Sequence, residues 1–415
     1  MPTGGGNMRY VIVILLIATI AMSYTYHGAY LLDGPVQSPD AATFGMGNLR
    51  VLPPESPASA LWAPATLPKN GGCVGLFTSL NHISESRAIP LYDSFDDRVG
   101  WTPYVSMAET YGDFALFVSY GFEGEWLPSV AAGYAPVFDA RYIYREEVRA
   151  QEGATQDNLL GVWSIDGMGK LAGPVIAVSE PILEYATIGV SATMLSGTIE
   201  MHRSPAAGDS ITHNVEPWEE AFDTDTVYSA DLSGTMIDVQ AIITPNDRWQ
   251  IGLRYLPQTD LGESLYPDFL PSRFGFGVGF RPIGYVQSRI AVEAELVGYS
   301  ALGDEDSAFA SLDDSWEFRI GLEHMLPRNI PFRIGMQQRT VPLPDPIVKT
   351  GFTIGSGVSF GPATLDISMG YEMTRYNNHD QFPESWLASS GGDREDYDRV
   401  EEGILTGAVG VLVEF

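Results

Sequence analysis

Apolar and polar side chains alternate with a period of two residues along much of the second half of the chain. Residues 274–280, FGFGVGF, set large apolar side chains against glycines, and residues 316–322 set them against charges and a glycine. Alternate side chains of a strand lie on opposite faces, so the pattern predicts strands with one apolar and one polar or bare face. The same pattern recurs at residues 231–244, 249–255, 288–300, 332–339, 351–360, 363–375 and 404–415.

The connections between these predicted strands alternate in length. The short ones are residues 245–247, 281–285, 327–331 and 361–362, and the long ones are 203–230, 256–272, 301–314, 341–348 and 377–403. Short periplasmic turns opposite long external loops are typical of outer-membrane barrels. The sequence therefore predicts an all-β fold: a transmembrane antiparallel β-barrel of about 14 strands, formed by residues 72–415.

The two ends of the chain agree with export to the outer membrane. An uncharged apolar run, residues 10–22, follows Arg9 and predicts a signal peptide over residues 1–23. The run is shorter than the roughly 20 residues of a spanning helix, which leaves an uncleaved anchor as the alternative. The last predicted strand finishes on Phe415, which we expect the barrel-assembly machinery to recognise. The predicted location is the outer membrane of a diderm bacterium, in contact with its lipid.

Composition narrows the function classes. The formal net charge of −30 excludes nucleic acid as a partner, because such binding needs a basic surface. Cys73 is the single cysteine, so the chain has no internal disulfide or thiolate metal cluster. The histidines are scattered without ligand spacing, and Gly355-Ser356-Gly357 lies inside a predicted strand rather than at a nucleophile elbow. We therefore expect no enzyme activity, no cofactor and no metal.

Residues 42–67 break the alternation. They are rich in proline, which cannot donate to a strand ladder, and they contain Gly45-Met46-Gly47 and, further on, Trp62-Ala63-Pro64-Ala65. These motifs resemble the N-terminal plug of the FadL-type outer-membrane transport proteins and their PorV-like relatives, although Ala63 stands where that family usually has asparagine. The resemblance implies a plug formed by residues 24–71, with Gly45, Met46, Gly47, Trp62, Pro64 and Ala65 as its defining residues. A tail that lies over the sheet is the alternative.

The same resemblance implies a function. A FadL-type barrel binds or passes hydrophobic small molecules, such as long-chain fatty acids, by diffusion past the plug. The apolar side chains of the loop at residues 256–272 are the candidates for capture: Leu261, Leu265, Tyr266, Phe269 and Leu270. The rival hypothesis is a PorV-like accessory barrel that binds protein partners in secretion or surface attachment. A general porin is a third hypothesis, which the apolar loop and the plug disfavour.

Charged residues occupy the predicted inner faces of consecutive strands, where they avoid lipid. They are Glu293, Glu295, Glu317, Arg319 and Arg333. We favour an ion-pair lattice that braces the lumen over a path for substrate.

Overall fold

The computed structural model describes residues 25, 36–95, 97–124, 126–150, 158–207, 226–262, 269–282, 287–302, 312–343, 347–379, 381 and 397–415. The predicted signal peptide, residues 1–23, lies outside the described residues.

Sixteen stretches of the described chain hydrogen-bond into one antiparallel sheet. They are β1 (Gly71–Tyr92), β2 (Arg98–Gly121), β3 (Ser129–Asp139), β4 (Tyr142–Ala150), β5 (Asn158–Met168), β6 (Lys170–Leu183), β7 (Ala186–Ala207), β8 (Thr226–Asn246), β9 (Trp249–Leu256), β12 (Ser272–Phe280), β13 (Ser288–Gly298), β14 (Ser315–Leu326), β15 (Ile330–Val341), β16 (Ile347–Phe360), β17 (Ala363–His379) and β18 (Tyr397–Glu414). Two short strands, β10 (Thr259–Asp260) and β11 (Phe269–Leu270), pair separately.

The sheet closes on itself, because β1 pairs with β18 and β7 pairs with β8. Two of its strands are interrupted. β3 and β4 follow one another across Ala140 and Arg141, and β5 and β6 are separated by Gly169. β7 pairs with β6 along its first half and with β5 along its second half. Counted with these interruptions, the wall is a closed barrel of fourteen antiparallel strands, which confirms the predicted fold class.

The alternation in the sequence becomes the two faces of this wall. Phe274 and Phe276 on β12 and Phe318 and Ile320 on β14 are each about half exposed on the outer face. The residues between them turn inward, where the interior buries them. The wall therefore presents an apolar belt outward, as a strand that crosses lipid requires.

One end of the barrel carries the short turns. β14 and β15 are joined by three residues, with Arg328 at φ 71° and Asn329 at φ 58°. Positive φ at two successive turn residues matches the right-handed twist of the flanking strands, so the pair can reverse direction tightly. β16 and β17 are joined by Gly361 and Pro362, with Gly361 at φ 63°.

Residues 36–70 precede β1 and lie inside the barrel; we call them the internal segment. It contains α1 (Ala41–Gly45), α2 (Ser59–Trp62) and a 3₁₀ turn (Pro64–Thr66). Asp40 caps α1 by accepting hydrogen bonds from the N–H groups of Ala42 and Thr43. Burial, followed by the charge of Asp366, raises the pKa of the Asp40 carboxyl. None of the helices in the described part of the chain has the length and hydropathy to cross a membrane.

The topology predicts which turns an external reagent reaches. In a Cys73→Ser background, Ser94→Cys in the β1–β2 connection should react with a membrane-impermeant maleimide on intact cells. Asn246→Cys and Asn329→Cys occupy exposed short turns at the opposite end, so they should react only after permeabilisation. Labelling of either turn on intact cells would reverse the orientation.

Candidate functional site

A buried carboxylate on the wall holds the middle of the internal segment. Glu293 on β13 accepts hydrogen bonds from three successive backbone N–H groups: Arg50 at 2.8 Å, Val51 at 3.0 Å and Leu52 at 2.6 Å. The neighbouring Arg289 donates to the carbonyl oxygen of Leu52 at 2.7 Å. Hydrogen bonds to an ionised group are stronger than neutral ones, so Glu293 is a principal attachment point for this segment.

Neutral side chains hold the rest of its backbone. Gln240 on β8 donates to the carbonyl oxygen of Val51 at 2.5 Å and accepts from the N–H of Ala65 at 2.7 Å. It thereby ties together two parts of the internal segment that are distant in sequence. Thr353 accepts from Gly47 N–H at 2.9 Å and donates to the Gly45 carbonyl at 3.1 Å, and Ser368 donates to the Ala41 carbonyl at 2.6 Å.

Glycines on both partners allow the segment to lie directly on the wall. Gly47 has φ 77°, and a Cβ built there would lie 2.7 Å from the carbonyl oxygen of Ile320. Only glycine fits such a position, which gives the Gly45-Met46-Gly47 motif a physical reason. On the wall side, a Cβ on Gly275 would lie 2.9 Å from Val51. The bare face of FGFGVGF is thus filled by the internal segment.

The structure places all six predicted plug residues inside the barrel, where each is buried: Gly45, Met46, Gly47, Trp62, Pro64 and Ala65. Pro64 and Ala65 lie on Gly189 of β7, where an added Cβ would come within 2.1 Å of the Ala65 nitrogen. Trp62 lies beneath two guanidinium groups, with Arg50 at 4.5 Å and Arg254 at 5.6 Å from its ring centroid.

Most of the predicted lumen charges meet in one ion-pair cluster. Glu295 lies 3.1 Å from Arg254, 3.1 Å from Arg273 and 2.9 Å from Arg319. Glu317 pairs with Arg273 at 2.9 Å and also with Arg319. Arg333 stands apart and pairs with Asp366 at 2.5 Å and with Glu323 at 2.6 Å.

The sequence analysis missed Arg254, Arg273 and Asp238 as members of this cluster. Arg254 pairs with Asp238 as well as with Glu295. Arg254 lies on the face of β9 that is opposite the row of apolar side chains. A charged side chain on that face must point into the lumen, so the sequence could have marked Arg254 as a lumen residue. These residues are brought together by the register between β8, β9 and β12. The alternation pattern of a single strand does not predict that register.

A continuous apolar cluster fills the side of the interior opposite Glu293's strand. The external connection contributes Leu256, Leu261 and Leu270, the internal segment contributes Leu61, Trp62 and Leu67, and the interrupted strand contributes Val137 and Phe138. Of the predicted capture residues, Leu261 and Leu270 are therefore buried in this cluster and Phe269 is half-buried. Leu265 and Tyr266 lie outside the described residues.

The wall turns inward at the end of β3. Residues 135–142 are all buried, although a strand in the wall should expose every second side chain to lipid. The β2–β3 ladder ends at the pair Leu116 and Tyr134. Pro136 follows and has no N–H to donate, and the carbonyl of Val137 accepts from Val36 N–H of the internal segment at 2.8 Å.

A gap in the hydrogen-bonded wall results. We define the wall gap as the region between residues 98–115 of β2 and residues 135–150 of β3 and β4. β2 continues along this region, whereas β4 pairs with β5, and the described residues show no β-ladder across it. A pocket here is lined by the outward-facing Thr78 and Phe114, by Pro136, and by Val36, Gln37 and Pro39 of the internal segment. Its lining combines outward-facing side chains of the wall with residues of the internal segment.

Ion pairs border the wall gap. Arg141 pairs with Asp139 and lies over the Tyr111 ring, 4.8 Å from its centroid. Lys170 pairs with Asp113 at 3.0 Å. The sequence analysis missed this region. Pro136 within a strand and the charged residues that follow it were the signals that could have marked the interruption. Within the described ranges, no three histidine, cysteine or acidic residues are placed to hold a metal ion.

Solved structures with the same fold carry related descriptions. A Pseudomonas aeruginosa FadL homologue matches with a TM-score of 0.58 at 11% identity, over 92% of this chain and 99% of that one. The P. putida toluene transporter TodX matches with a TM-score of 0.60 at 12% identity, over 90% and 98%. The chain has the FadL-type outer-membrane barrel fold. This confirms, at the level of the fold, the resemblance seen in the sequence.

A further structure with the FadL-type fold is the Ralstonia pickettii toluene transporter TbuX, with a TM-score of 0.55 at 13% identity, over 90% of this chain and 98% of that one. No protein-family model and no curated protein matches the sequence. The likeness therefore lies in the three-dimensional arrangement rather than in the residues.

Because the backbone of the internal segment lies directly on Gly189, a large side chain at Gly189 should destabilise the barrel, whereas the same change at Gly407 should not. Gly189→Leu should push residues 64–66 off the wall, because its side chain would occupy their backbone positions. The folded barrel should then melt earlier in a heat-modifiability assay, and trypsin should cleave at Lys69. Gly407→Leu is the control, because a Cβ there meets no atom within 4 Å. Equal melting and equal trypsin cleavage of the two variants would contradict the contact between Gly189 and residues 64–66.

Proposed function

We propose that this protein is an outer-membrane channel for hydrophobic small molecules. The molecules are captured at the external connection around Leu256, Leu261 and Leu270, move along the interior apolar cluster, and leave sideways through the wall gap into the lipid. The observation that carries this proposal is the inward turn of β3, which brings Val137 and Phe138 into the apolar cluster beside a described stretch of wall where β2 forms no β-ladder with β4.

The energetics favour an apolar solute along this route. Contact with apolar surface stabilises such a solute by roughly 25 cal/mol per Å² removed from water. The buried apolar side chains of the cluster extend from the external connection to residues 137 and 138. A hydrophobic molecule that displaces these side chains one after another would stay out of water throughout.

The periplasmic end of the barrel offers a poorer exit. A cavity of about 280 Å³ lies there between Pro54 and the inner faces of β14 to β17, and its lining includes Glu323, Arg333 and Asp366. Passing an apolar molecule through it would separate the molecule from apolar surface and disturb the paired charges. The pocket at the wall gap is lined mainly by apolar side chains such as Phe77, Phe114 and Pro136, with Asp113 as its one charged lining residue, so the cost there is smaller.

We propose that the internal segment acts as a plug against water and ions. Its backbone is held by Glu293, Gln240 and Thr353, and its Trp62 lies under the arginines of the lumen. The close fit of the internal segment inside the barrel disfavours the hypothesis of a general porin. The substrate class that we propose is the hydrophobic small molecule, with long-chain fatty acids and monoaromatic hydrocarbons as the candidates to compare.

The route can be tested by filling the wall gap. Ser79 lines its pocket and Ser84 is exposed on the outer face of the same strand. Ser79→Trp should reduce uptake of radiolabelled toluene and oleate into intact cells at least fivefold, with Ser79→Phe intermediate and Ser79→Ala unchanged. Ser84→Trp should match the parent protein, and heat-modifiable migration verifies that each variant folds.

The same experiment distinguishes the proposed channel from the rival hypothesis of an accessory barrel in secretion. If deletion of the whole protein leaves uptake of both probes unchanged, the channel proposal is wrong and the accessory barrel of secretion becomes the better hypothesis. If deletion abolishes uptake but Ser79→Trp does not reduce it, the protein is a channel with a different exit.

The plug role predicts an effect of a single buried charge. Glu293→Gln replaces a carboxylate that holds three N–H groups, and each lost charge-assisted hydrogen bond costs about 1.5 to 3 kcal/mol. The variant should show frequent conducting events in a planar bilayer where the parent shows few. Glu323→Gln, which removes a pair with Arg333 only, should behave as the parent. Equal conductance of parent and Glu293→Gln would contradict the plug role.

A further inference from the structure

Arginines from three strands meet on the outward face of the wall. Arg375 on β17 lies opposite Glu401 on β18, and Arg399 lies opposite Ala88 on β1. Arg375 has the same parity as the exposed Met373, and Arg399 has the same parity as the exposed Leu405. Both side chains therefore point away from the lumen.

The position of Arg375 along β17 places it at the edge of the apolar belt that faces lipid. The outward row of β17 runs through Ile367, Met369, Tyr371 and Met373, each about half exposed. Arg375 is the next residue of this row, roughly 7 Å further along the strand. It lies toward the long connection between β17 and β18, which is the external end. Arg375 is thus at the depth where lipid chains give way to headgroups.

An aromatic ring organises the neighbouring arginines. The guanidinium of Arg98 lies 5.3 Å and that of Arg399 lies 5.6 Å from the ring centroid of Trp101 on β2. Such cation–π contacts fix the direction of a guanidinium group. The ring therefore holds two positive charges close together before any ligand arrives.

Arg375 and Arg399 together carry more charge than the carboxylate with which they pair. Glu401 lies 2.6 Å from Arg399 and 3.0 Å from Arg375, so two arginines share one carboxylate. The Nε of Arg399 is buried and has no hydrogen-bond partner among the described residues. An external anion would pair with the arginine charge that Glu401 leaves unmatched, whereas Asp93 and Asp97 already accompany Arg98 in the β1–β2 connection.

We propose that Arg98, Trp101, Arg375 and Arg399 bind the phosphate groups of an anionic glycolipid in the outer leaflet. Guanidinium groups bind phosphate oxygens in pairs, and the acyl chains of the same molecule would lie on Met373 and Leu405. The apolar row directly below the arginines selects a lipid headgroup over a free phosphate ion. Lipid binding at this patch does not depend on the proposed transport function.

Native mass spectrometry of the full chain in detergent tests this site. The probe is bisphosphorylated lipid A, compared with its dephosphorylated form. Arg375→Ala with Arg399→Ala should weaken binding of the bisphosphorylated probe roughly 30-fold, since each arginine near an anionic lipid surface contributes about fivefold. The control is Arg145→Ala, which removes an exposed arginine paired with Asp166 on another part of the wall. It should bind as the parent does.

Three results would overturn the proposal. The dephosphorylated lipid could bind the parent as tightly as the phosphorylated one, Arg145→Ala could weaken binding as much as the double variant, or millimolar inorganic phosphate could displace the lipid. The double variant with lysines, Arg375→Lys and Arg399→Lys, keeps the charge and should retain intermediate affinity. Heat-modifiable migration of every variant verifies that the barrel is folded.

Discussion

The rest of the structure depends on one constraint: lipid offers no partner to a backbone N–H or C=O group. The closed ladder from β1 round to β18 satisfies it almost everywhere. The exception is the end of β3, where the ladder with β2 stops and the chain turns inward. There the internal segment supplies the missing donor, because Val36 N–H binds the carbonyl of Val137 at 2.8 Å. The opening and the internal segment therefore form one structural unit.

The interior is built from two kinds of contact. Glycines such as Gly189 and Gly275 let an irregular backbone lie directly on the wall, and side chains such as Glu293 and Gln240 then satisfy its polar groups. A buried segment with little regular structure needs both, since its own backbone groups cannot all pair with each other. The ion-pair cluster around Glu295 occupies one side of this segment, and the apolar cluster occupies the other. The division places the apolar cluster around Leu61 and Trp62 on the side of the wall gap, while a smaller one around Val51 and Leu52 lies against β12 and β13.

Strand periodicity predicted the wall well in the second half of the chain, because lipid and lumen impose opposite requirements on alternate residues. The proline content of residues 42–67 likewise indicated a segment outside the wall. The inward turn at residues 135–142 was not predicted, because a strand that leaves the wall is buried on both faces and loses its alternation. The ion-pair cluster was predicted only in part. Arg254 and Asp238 are brought together by register between strands, and a single sequence does not reveal register.

β2 connects the wall gap with the arginine patch. Its residues 98–115 border the gap along one edge, while its other edge pairs with β1. Arg98 and Trp101 stand on the outward face of this same stretch. A strand edge that forms no ladder is less constrained than an edge that is paired within a sheet. A glycolipid bound at the patch would press against the outer half of β2 and restrain it. The lipid would then stabilise one of the two borders of the gap.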